Sequence, residues 1–241
     1  MTECWRCGVV FAKVRGVGSA APGVYPSVAH DDDGSLWDRL LATLVATQEQ
    51  PNPVILAGRA FWLLLAAAMS WGYVTWEWTN QEAPSFAHAI LSRANLIFHE
   101  SGHIIFIPFG DFMRVLGGSI MQCLVPLVCM VAFLGFKRHA FGASAMLWWT
   151  GVNLTEVARY MYDAGTQGLV LLGGVTGDEA PGYHDWNNLL GRLDLMKYDH
   201  ALGRATSHAG SALIVLGLVW GALLLTREYR QLKSPPGGLA S

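Results

Sequence analysis

Apolar and polar positions divide the chain into a polar leader, a run of apolar blocks and one long polar interruption. Residues 1–52 are polar and punctuated by Gly and Pro, with one amphipathic stretch at Leu36–Thr47 that reads as a surface helix. Four blocks of membrane-helix length follow, at about Val54–Trp76, Ser85–Ile107, Val115–Phe136 and Phe141–Asp163. Segment 164–206, Gly-rich with acidic and aromatic residues, separates these from a last block at Ser207–Leu225. The pattern predicts an all-α fold: a polytopic integral membrane helix bundle with four or five transmembrane helices. Its divisions are a polar leader 1–52, a membrane domain 53–226 and a basic, disordered tail 227–241.

The second block differs from the others. It carries His88, Ser92, Arg93, Asn95, His99, Glu100 and His103, too many polar groups for a lipid-exposed span. It therefore reads as re-entrant or interfacial. Basic residues set the orientation: Lys137-Arg138-His139 and the flank Arg227, Arg230, Lys233 are expected on the cytoplasmic side. That puts the C-terminus inside a bacterial cytoplasmic (inner) membrane and residues 164–206 in the periplasm. Arg59 is expected to snorkel to the cytoplasmic surface, and Trp71, Tyr73, Trp76 and Trp78 to form an interfacial belt.

Composition agrees with the pattern. The chain is 52% hydrophobic and 14% charged, which suits a bilayer partner better than water. Net charge is −2 and no Lys/Arg block exists, which excludes nucleic acid as an expected partner. The leader has no early apolar core of a signal peptide, so the first block is expected to act as an uncleaved anchor. Cys4 and Cys7, in Cys-Trp-Arg-Cys-Gly, look like half of a zinc knuckle with no second CxxC to complete it. Cys123 and Cys129 fall in an apolar helix and read as core.

The candidate chemistry sits in the second block. Residues 99–103 read His-Glu-Ser-Gly-His, an HExxH box. Positions i and i+4 of a helix share a face, so His99 and His103 can bind one metal ion, with Glu100 beside it as general base toward a metal-bound water. A third ligand is required. The fourth block offers Asn153, Glu156, Tyr160 and Asp163, spaced so that all four share a face. Glu156 would give a two-His-one-Glu set, and Tyr160 could donate to a developing oxyanion. His184 is a further candidate ligand or proton shuttle. Asp185 is either an outer acceptor that orients a ligand histidine or the N-cap of a helix Trp186–Leu193. Asp111 and Arg114 read as an interfacial pair; Asp194, Asp199, His200 and His208 read as a solvated linker and helix face.

These motifs resemble the site-2 protease family of intramembrane zinc metalloproteases, in which a later helix carries Asn-x-x-Pro-x-Pro-x-Leu-Asp-Gly. The resemblance covers about residues 90–165 and implies Zn²⁺ held by His99, His103 and Asp163, with Glu100 catalytic and Asn153 matching the motif's Asn. Both prolines are missing here, and Ala164 stands where the motif has Gly. The whole chain also looks like a group of uncharacterised bacterial membrane proteins that carry HExxH. The resemblance implies hydrolysis of a membrane or membrane-proximal peptide. Two other readings compete. Glu100-x-x-His103 is also an element of di-iron helices, although a second copy is absent. A non-enzymatic, metal-stabilised accessory subunit or scaffold bound to partner subunits is the third reading.

Overall fold

The computed structural model describes residues 35–47, 52–75, 86–136 and 139–234; Cys4, Cys7, Trp76, Trp78 and the Lys137-Arg138 link lie outside them. The chain divides into two units, Met1–Arg39 and Leu40–Ser241, and the second holds everything discussed below. The described residues are helical apart from turns and one isolated antiparallel bridge, Val170 with Thr176. The helices are α1 (Leu36–Leu44), α2 (Pro53–Val74), α3 (Phe86–Ile105), α4 (Asp111–Gly135), α5 (Ala140–Tyr162), α6 (Asp185–Arg192) and α7 (Asp199–Lys233). Among the described residues, three segments are long and apolar enough to cross a membrane: Pro53–Val74, Asp111–Gly135 and Met196–Lys233. At about 1.5 Å per residue, the first of these is already as long as a hydrocarbon core is thick.

Local signals explain several boundaries. Pro53 opens α2 behind Asn52, whose side chain accepts from the Val54 N–H at 2.8 Å. A tight turn at Ile107–Phe109 and Gly110, at φ +91°, joins α3 to α4, so the two run as an antiparallel hairpin. Two boundaries depart from expectation. α7 begins at Asp199 rather than Ser207 and continues to Lys233, so Asp199, His200 and His208 are helical and 227–233 are not tail. Asp199 explains the early start: it is buried and accepts from the Gly165 N–H at 3.1 Å, which ties the new helix to the end of α5.

Small residues set the packing. On α7, Gly203, Gly210 and Gly217 recur every seven positions and face α5. A Cβ on Gly210 would stand 2.7 Å from Thr155 Cγ2 and 2.8 Å from the Gly151 carbonyl oxygen; one on Gly217 would stand 2.7 Å from the Trp148 nitrogen. Backbone approach of this kind is how helices associate where lipid offers no hydrophobic drive. Aromatics fill the space beside it: Trp62 meets Phe141 and Trp148 edge-on.

Arg59 does not snorkel. It is buried, pairs with buried Glu228 of α7, and has Nη2 3.0 Å from His139 Nε2. A partner arriving at the same depth removes the need to reach water. His139 in turn caps α5, accepting from the Gly142 N–H at 2.8 Å. Gly210→Val is expected to overpack the α5–α7 contact by about 1–3 kcal/mol. Thermal unfolding in detergent checks this, with Gly58→Ala as control, since a Cβ at Gly58 would meet nothing within 4 Å beyond its chain neighbours and its own helix backbone.

Candidate metal centre

Asn95, His99 and Gly102 lie along one face of α3, at the helical period, and all are buried. Gly102 meets Gly117 of α4 so closely that a Cβ on it would overlap the Gly117 carbonyl oxygen. One residue on, Gly118 does for side chains what Gly117 does for backbone. A Cβ there would sit 2.7 Å from both His99 Nε2 and His103 Cε1. Only a hydrogen at 118 leaves room for the two imidazoles.

The rings stand 4.9 Å apart, edge to face. One ligand-type atom each from His99, Glu100 and His103 falls within 4.8 Å of the others. Each histidine is held from its far side. His103 Nδ1 lies 2.9 Å from the Arg114 carbonyl oxygen, an acceptor only, so Nδ1 carries the proton and Nε2 offers a lone pair. His99 Nδ1 lies 3.1 Å from Gln122 Oε1.

Both Nε2 atoms point at one carboxylate oxygen. Asp185 Oδ2 is 3.0 Å from His99 Nε2 and 3.3 Å from His103 Nε2. Ligand atoms about 2.0–2.1 Å from a tetrahedral ion are themselves roughly 3.3 Å apart, so this set matches the spacing of a zinc-type site.

Asp185 reaches this point because His184, not Asp185, caps α6. The His184 side chain accepts from the Asn187 N–H at 3.1 Å, which leaves the next residue free to face inward. Three ties hold the helix in place. The Asp185 N–H donates to Tyr160 Oη at 2.9 Å, Trp186 Nε1 to Ser119 Oγ at 3.1 Å, and Asn187 Nδ2 to the Ala164 carbonyl at 2.9 Å.

Asp163, expected as third ligand, is engaged elsewhere. Its oxygens take the Thr166 hydroxyl at 2.6 Å, the Gly168 and Leu169 N–H groups at 3.0 and 2.9 Å, and His184 Nε2 at 3.3 Å. Burial raises its carboxyl, yet these donors together hold it below the usual range. Its work is to shape the loop after α5, whose residues 168–173 form one wall of the cavity. His184, fully buried between Asp163 and Asn187, does not join the histidine pair either. Glu156 also lies off the pair; it accepts from Ser92, Asn95, Gln122 and Tyr73 behind His99. Asn153 is buried with its amide donating to the Trp149 carbonyl of its own helix, away from the cavity. Tyr160 is at the site, but as the acceptor that holds the Asp185 backbone. Side-chain placement of His88 lies outside the described residues.

A cavity of about 1080 Å³ opens onto His99, Glu100, His103, Tyr160 and Asp185. At its rim Arg114 and Arg192 share Asp111, at 2.6 and 2.5 Å. Sequence reasoning named Asp111 with Arg114 but missed Arg192, along with Gln122 and Gly118. Gln122 carried a usable signal, a lone amide in an apolar helix.

Asp185→Ala should abolish binding of one equivalent of Zn²⁺ by the purified protein. Asp163→Ala should keep that equivalent while lowering stability by about 2 kcal/mol through the loss of charge-assisted bonds. Elemental analysis after gel filtration, with thermal melts, reads both. Retention by the first variant and loss by the second would restore Asp163 as the ligand.

The chain matches no family model, no curated protein and no solved structure, so the centre is defined by its own residues.

Proposed function

We propose that the protein is a membrane-embedded metallopeptidase in which His99, His103 and Asp185 hold one Zn²⁺ and Glu100 is the general base. The observation that carries it is the approach of His99 Nε2 and His103 Nε2 to within 3.0 and 3.3 Å of Asp185 Oδ2 at the wall of an open cavity. Three protein ligands with a vacant position are the pattern of catalytic rather than structural zinc. His184, the residue best able to complete a closed four-ligand site, is committed to Asp163 and Asn187. A second Glu-x-x-His is absent from the sequence, which weighs against a di-iron centre.

A divalent ion held by His99, His103 and Asp185 would supply Lewis acidity, bringing the pKa of water toward neutrality and polarising a carbonyl. Glu100, close to both histidines and lining the cavity, takes the proton and can return it to the leaving amine. Tyr160 accepts from the Asp185 backbone and keeps its own O–H to donate toward an oxyanion. The substrate is a membrane or membrane-proximal peptide segment. An apolar wall, Leu169 to Leu172, and a basic rim favour such a chain over a small polar solute. On this reading α5 joins the three apolar segments as a further span. Basic flanks set the C-terminus on the cytoplasmic side of a bacterial inner membrane and the site toward the periplasm.

Glu100→Gln should retain zinc and lose cleavage by about 10²–10⁴-fold, the usual worth of a positioned proton acceptor. The assay presents a quenched-fluorescent peptide library to the protein in nanodiscs, with chelator and zinc add-back. Turnover that survives both the substitution and the chelator would refute the mechanism.

A further inference from the structure

Gln122 meets His99 through an atom whose identity decides what the imidazole can do. If the Gln122 oxygen faces Nδ1, the ring proton sits on Nδ1 and Nε2 is a ligand. If the amide nitrogen faces Nδ1, the proton moves to Nε2 and points at the metal position.

A chain of bonds settles which. The Trp149 indole N–H is a donor only and meets Asn95 Oδ1 at 2.9 Å, so the Asn95 amide nitrogen must turn the other way. It donates to Glu156 Oε2 at 2.8 Å. The other carboxylate oxygen accepts from Ser92 Oγ at 2.6 Å and Tyr73 Oη at 3.3 Å. Oε2, which takes the Asn95 N–H, is the acceptor that Gln122 faces. Gln122, 3.0 Å from Oε2, can meet it only through its amide nitrogen. Its oxygen is then left for His99 Nδ1. The donors run inward from both ends, from the Trp149 indole through Asn95 and from the His99 imidazole through Gln122, and converge on the Glu156 carboxylate.

We propose that Glu156 is a positioning residue of the metal centre: without touching the ion, it fixes His99 through Gln122 as the Nδ1–H tautomer. This rests on the reading of His99 as a ligand. It gives a purpose to a buried carboxylate on α5 that the proposed reaction does not otherwise use.

The test uses the full chain in detergent, with Zn²⁺ as the probe and ¹⁵N-labelled histidine. In the metal-free wild type above pH 8, the resonances lost in His99→Ala should report a proton on Nδ1. Glu156→Gln, which can present an N–H where Gln122 now donates, should bring in the Nε2–H form. It should also weaken Zn²⁺ binding about 10–100-fold. Gln122→Met should weaken binding similarly while leaving Glu156 intact, and it decides the matter if Glu156→Gln fails to fold. Lowered thermal stability with unchanged tautomer and affinity would make Glu156 merely structural and overturn the proposal. His99→Ala binding Zn²⁺ as tightly as wild type would instead sink the metal reading, whatever the tautomer.

Discussion

The centre depends on one steric constraint, the contact between α3 and α4 at Gly102, Gly117 and Gly118. Backbone against backbone at the first two glycines brings the helices close enough for two imidazoles to be trapped against α4. The missing side chain at the third provides the space they occupy. The same closeness carries the Arg114 carbonyl and Gln122 to the far edges of the rings. A methyl group anywhere in this trio would move the histidines, and with them the point to which Asp185 has to reach.

Much of the scaffold was legible before any coordinates. The apolar blocks became helices, and the HExxH spacing put His99 and His103 on one face, because both follow from the 3.6-residue period. What stayed hidden was decided between elements. Either His184 or Asp185 has the chemistry to cap α6, and the choice of His184 is what frees Asp185. Asp163 shares a helix face with Tyr160 in sequence, but the last turn of α5 gives way to a loop whose N–H groups claim the carboxylate. Arg59 and Asp199 looked solvated because a charge in sequence shows no partner; Glu228 and the Gly165 N–H supply them.

Polar groups in the bundle are concentrated at its two ends. Arg59, Glu228 and His139 gather at the start of α5, and the histidine pair, Tyr160 and Asp185 at its finish, about 30 Å along the helix axis. The Glu156 network sits inward of the second group. Between the two, α5 and α7 meet through glycines, Thr155 and apolar side chains, and a buried hydrogen bond from Trp148 Nε1 to Ser70 Oγ at 2.7 Å ties α5 to α2.

The placement of Asp185 on α6, rather than on one of the long helices, couples two processes that could have been separate. Two of the three donors belong to the α3–α4 hairpin, and the third comes from a short helix more than eighty residues later in the chain. Docking of that helix completes the donor set. By mass action, a cation that binds the full set and not the parts adds about 4 kcal/mol to docking at a thousandfold excess over its dissociation constant. On the metal reading proposed above, capture of the ion and docking of α6 would be one event: a chain with α6 undocked would hold two histidines and an incomplete donor set.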